Sequence, residues 1–132
     1  MREESPEALW NNGIESGILA AGYKPVRIDR VEHNNRIDDE IIAGIRRSKF
    51  LVADFTGQRG GVYFEAGFAL GLSMPVIWLC KKSECDENKI HFDIRQYNFI
   101  LWEDDKLGDL KTALQNRIEA TIGRGSYNSC HV

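Results

Sequence analysis

Two short apolar runs, separated by a glycine-rich loop and an almost uncharged helix, constrain this chain more than any other stretch of it. The runs, residues 50–53 (FLVA) and 76–79 (VIWL), are short and β-rich, the pattern of strands buried on both faces. Between them, Thr56-Gly57-Gln58-Arg59-Gly60-Gly61 carries three glycines in six residues, so its backbone can take positive φ and approach a ligand closely. A helix over about residues 62–72 follows, and its single charge is Glu65.

Helical spacing puts Glu65 on the face of Phe68, Ala69 and Leu72, a stripe expected to pack inward. A carboxylate there needs hydrogen bonds, a cation or a ligand, because burying it unpaired costs several kcal/mol. A place in the first helical turn would favour the anion through the helix dipole and unpaired N–H groups. Two readings follow: a desolvated, ionised nucleophile beside the loop, or a structural carboxylate that caps its own helix or pairs with Arg59 or another arginine. Asp54 ends the first apolar run, at the carboxyl end of a parallel strand, where open α/β sheets bind ligands. Its alternative role is to cap the turn at Thr56-Gly57.

The remaining segments alternate around this unit. Ser5-Pro6 reads as a helix start, Leu9, Ile14, Ile18 and Leu19 as its apolar stripe, and Gly22 as its end. Residues 24–28 (KPVRI) read as a strand, and Ile37, Ile41, Ile42 and Ile45 as the inward face of a helix capped by Asn34 or Asn35. After a polar loop over 81–89, residues 90–102 (IHFDIRQYNFILW) divide into a turn rich in functional side chains and a strand over 99–102. Leu107, Leu110, Leu114, Ile118 and Ile122 form the stripe of a last helix ending at Gly123, and residues 124–132 read as a flexible tail. Alternation of this kind predicts a single α/β domain with helices on both faces of its sheet.

Length and composition add boundaries. At 132 residues, with 42% hydrophobic and 28% charged residues, the chain fits one globular domain with a real core. No apolar run reaches membrane-spanning length and the first residues are too polar for a signal peptide, so the expected location is the cytoplasm. Three irregularly placed cysteines argue against a disulfide framework, and Cys80, Cys85 and His91 match no standard zinc spacing, so no metal or cofactor is expected. A net charge of −3 argues against bulk nucleic-acid binding.

The stretch VADFTGQRGGVYFEAGFALGLSMPVIWLC resembles the heart of the nucleoside 2-deoxyribosyltransferase-like family, whose core is related to Toll/interleukin-receptor (TIR) domains. The pattern is Glu65-Ala66-Gly67-Phe68-Ala69, and the likeness runs from about residue 9 to residue 122. It implies a flavodoxin-like or Rossmann-like doubly wound, mainly parallel sheet, here of about four strands because the family's first strand is missing. It also implies that Glu65 is the nucleophile. The transferases carry an aspartate six residues before that glutamate, and Arg59 stands there in this chain. The segment HFDIRQYNFILW is similar to that of a subgroup of bacterial proteins with this core.

Three functions follow as expectations. The first is cleavage or transfer at an N-glycosidic bond of a nucleoside or nucleotide, with Glu65 as nucleophile or stabilising anion and Asp54 positioning the sugar or attacking group. Arg59 and the N–H groups of Thr56, Gly57, Gln58, Gly60 and Gly61 would hold a phosphate, and His91, Asp93, Arg95 and Tyr97 would fold over the opening. A salt-bridged turn is the alternative for those last four. The second function is a TIR-like nucleotide-binding sensor with little turnover, which Arg59 favours over a true transferase. The third is an oligomerising interaction domain with a vestigial pocket. A homodimer or larger homo-oligomer is expected in any case, because a missing central strand would leave unpaired backbone and an uncovered face on the helix over residues 9–20.

Overall fold

The computed structural model describes residues 6–27, 39–56, 60–84 and 98–132. It is an α/β fold built on one five-stranded, all-parallel sheet. The strands are β1 (Tyr23–Val26), β2 (Leu51–Asp54), β3 (Val76–Lys81), β4 (Ile100–Trp102) and β5 (Asn128–His131), in the spatial order β1-β5-β2-β3-β4. With helices on both faces, this is a flavodoxin-like arrangement.

The expected four-stranded sheet is corrected at its centre. The position between β1 and β2 is neither empty nor closed by direct pairing, because the presumed flexible tail supplies β5 there. It pairs with β1 over Tyr23↔Asn128 to Val26↔His131 and meets β2 at Leu51↔His131. Lys49 N–H donates to Ser129 O at 2.9 Å and His131 N–H donates to Phe50 O at 3.1 Å, so β2's neighbouring groups are paired, as buried backbone requires.

Alternation along the strands divides the core in two. Phe50, Val52, Ile77, Leu79, Ile100 and Cys130 face one helix layer. That layer holds α1 (Pro6–Leu9), a π-helical turn (Trp10–Ile14), α2 (Glu15–Ala20) and α5 (Leu107–Thr121). Ile14 and Ile18 are buried with Leu110, Leu114 and Ile118, so the inward stripe of the first helix already has its packing surface. The uncovered face expected on that helix is therefore absent as a reason for association. A helix backbone comes close to α5 here, since a Cβ at Gly17 would lie 3.0 Å from Lys111 O. Gly123, at φ 101°, closes α5, and its N–H donates to Ile118 O at 3.1 Å.

The other layer holds α3 (Asp39–Arg46) and α4 (Gly60–Gly71), packed on Leu51, Ala53, Trp78 and Cys80. Ile41 and Ile45 supply α3's buried face as their spacing predicts, while Ile37, Asn34 and Asn35 lie outside the described residues. Among the described residues no helix is long and apolar enough to cross a membrane.

Candidate functional site

α4 starts two residues earlier than its pattern predicts, so Gly60 and Gly61 belong to the helix and not to the loop. Glu65 is then its sixth residue, beyond the first turn, and the expected help from unpaired N–H groups at the helix start does not reach it. The inward face of α4 consists of Val62, Glu65, Ala66 and Ala69, whereas Leu72 is exposed. The predicted orientation of Glu65 is correct: its exposure is 1%.

Among the described residues, His131, on the central strand β5, faces Glu65. Glu65 Oε1 lies 3.4 Å from His131 Nε2, and His131 is fully buried. Gly44 of α3 makes the room, since a Cβ there would sit 3.3 Å from His131 Nδ1. Among the described residues neither ring nitrogen finds a hydrogen-bond partner. Three elements, α3, α4 and β5, thus converge on one acid–base pair beside the β5/β2 boundary. His131 is level with Val26, the last residue of β1, and with Leu51, the first residue of β2, so the pair lies beneath the α3–α4 layer.

Asp54 ends β2 as predicted, but its carboxylate is committed to neighbours. Asp54 Oδ1 accepts hydrogen bonds from Thr56 N–H at 3.1 Å, from the Thr56 hydroxyl at 2.7 Å and from Trp102 Nε1–H at 3.4 Å. Thr56 Oγ1 in turn accepts from Lys81 N–H at 2.8 Å, and Lys81 Nζ pairs with Asp104 Oδ2 at 2.7 Å. This network ties together the carboxyl ends of β2, β3 and β4, which is the turn-capping role for Asp54 and Thr56. Gly57, Gln58 and Arg59, and also His91, Asp93, Arg95 and Tyr97, lie outside the described residues.

The sequence reading missed His131, Lys81, Trp102 and Asp104. The last three sit at or just past strand ends, so the rule that singled out Asp54 could have found them. It also missed an aromatic cluster in which Phe55 stacks on Trp78 at 5.2 Å and meets Tyr63 and Phe99 edge-on at 5.0 and 5.9 Å. The Cys80 and Cys130 side chains are both buried. Burial pushes the Cys130 thiol well above its ordinary range, against a weaker lowering by a backbone hydrogen bond at Val52. Among the described residues no three His, Cys, Asp or Glu side chains gather as a metal site.

Chemically, the pair offers a carboxylate shielded from water with an imidazole beside it. In such surroundings charge–charge interactions are stronger than in water. No family model, curated protein or solved structure matches the chain.

Proposed function

We propose that this protein binds a nucleoside or nucleotide and cleaves or transfers at its N-glycosidic bond, with Glu65 as nucleophile or stabilising anion. The observation that carries the reading is the inward, water-shielded carboxylate of Glu65, the only charge on α4, beside His131 of the central strand. As the C1′–N bond breaks, the base leaves with the bonding electrons and takes up a proton. Positive charge then develops on the sugar ring. A carboxylate oxygen on the opposite face stabilises that charge or closes on C1′ as an ester, and water or a second base completes the exchange. Arg59, with the Gly57 to Gly61 backbone, is the proposed phosphate holder, and Arg95 and its neighbours His91, Asp93 and Tyr97 the proposed cover.

The same burial favours a second reading, a TIR-like sensor that binds nucleotide with negligible turnover, because Glu65 is reached only after His131 or its surroundings shift. Incubation with a panel of nucleosides, nucleotides and NAD, followed by chromatography for free base, separates the two. Base release by the wild type and its loss in Glu65→Gln, with folding intact by circular dichroism, is the expected result, since the substitution removes the anion but keeps size and hydrogen-bonding capacity. Full activity in Glu65→Gln would sink the nucleophile assignment. Saturable nucleotide binding without base release selects the sensor.

A further inference from the structure

α4 presents an unusual outer surface. Its one charged side chain points inward, so the outward face carries no charge. A helix with one face in water ordinarily places its charged residues there, and a helix apolar all round is ordinarily buried. Phe64, Gly67 and Gly71 instead recur at i, i+3 and i+7 opposite the buried face, with Phe64 49% exposed, Leu70 and Leu72 exposed at the margins, and Phe68 half-buried between this face and the core. The Phe64 and Phe68 rings are nearly parallel, 6° apart in plane with centroids 6.4 Å apart.

The glycines sharpen the point. Gly13 and Gly17 have the same spacing and an evident purpose within the chain, since a Cβ at Gly13 would meet Leu110 Cδ2 at 2.7 Å and one at Gly17 the α5 backbone. A Cβ built at Gly67 or Gly71 meets nothing within 4 Å among the described residues. Glycine costs about 1 kcal/mol relative to alanine inside a helix, and packing at these two positions among the described residues gives no return for it. What two glycines on an exposed apolar helix face do permit is close approach of another backbone.

α3 indicates which backbone. α3 and α4 both return from the carboxyl edge of a parallel sheet to its amino edge, so they run in the same direction, and Arg46 lies over the Phe68 ring at 5.5 Å. α3 begins with exposed Asp39 and Glu40 and ends with exposed Arg46, followed at once by exposed Arg47. Such a surface complements a copy of itself turned end for end. We propose that the α3–α4 face is the interface of a homodimer. A two-fold axis perpendicular to both helices, lying in the interface, sets each helix antiparallel to its copy. Phe64 of each copy then packs against the glycines of the other. Asp39 and Glu40 of each copy face Arg46 and Arg47 of the other. This surface differs from the missing-strand edge that the sequence suggested, and it does not depend on the proposed chemistry.

Sedimentation equilibrium of the whole chain, from low to high micromolar concentration, is the test. The wild type is expected to be a dimer. Phe64→Glu, and separately Gly67→Leu, are expected to give monomers with unchanged circular dichroism, because Phe64 is exposed and a Cβ at Gly67 meets nothing within 4 Å among the described residues. Reversing Asp39 and Glu40 to arginine, or Arg46 and Arg47 to glutamate, should weaken the dimer by about tenfold or more. Combining the two reversals in one chain should restore it. A wild type that stays monomeric at high micromolar concentration would overturn the proposal. So would a dimer indifferent to Phe64→Glu, or a monomer that binds phosphatidylglycerol vesicles through Phe64.

Discussion

Glu65 and His131 illustrate how one residue's surroundings are assembled from distant parts of the chain. The carboxylate comes from a helix, the imidazole from the last strand, and the space for both from Gly44 on a third element. Cys130, the preceding residue on β5, points to the opposite face and lies in the other core. Its titration has a definite consequence for stability. Burial raises the folded thiol above its ordinary value, so folding favours the neutral form. That contribution is fully present below the unfolded thiol's pKa, about 8.5, and is lost as pH rises towards the folded value. Tyr23 shares the trend, raised first by burial and then by its neighbour Cys130. The urea midpoint should therefore fall with pH above that point, and Cys130→Ala should flatten the fall; an unchanged alkaline slope would contradict the assignment.

At the scale of elements, the first helix and α5 pack through two glycines, and the energetic signs of substitution there are opposite to simple helix propensity. Gly17→Ala brings a methyl group to 3.0 Å from Lys111 O and 3.1 Å from Leu114 Cβ, and backbone on α5 cannot turn aside as a flexible side chain would. It should lose about 1–3 kcal/mol in urea denaturation despite alanine's better propensity. Gly108→Ala, on α5 where a Cβ meets nothing within 4 Å, should instead gain up to about 1 kcal/mol. A gain at both sites would mean that the helices can separate without cost. The apolar stripes of α3 and α5 were legible in the sequence because each is local and periodic. The break of the first helix into α1, a π turn and α2 was not, since no proline or charge change marks Trp10–Ile14.

Across the whole molecule, the sheet depends on its last strand. β5 stands between β1 and β2, so removing residues 124–132 would leave the facing edges of both without partners and take His131 from Glu65. The shortened chain should lose its cooperative thermal transition and its near-ultraviolet circular dichroism while keeping much of its helical signal. A sharp, native-like melt would show that β1 and β2 pair directly. The sequence alone determined the α/β class, β2, α4 and β3 as a unit, and the inward direction of Glu65. Each of these rests on periodicity within a dozen residues, and a lone charge in an apolar helix is visible without knowing what it faces. Only the tertiary structure decided that Asn128–His131 is the central strand. Three of its four residues, Asn128, Ser129 and His131, are polar, its Gly-Ser surroundings read as a loop, and its partners on β1 lie about a hundred positions earlier in the chain. Strand propensity that comes from pairing and burial cannot be read from the strand itself, and for the same reason neither could the partner of Glu65.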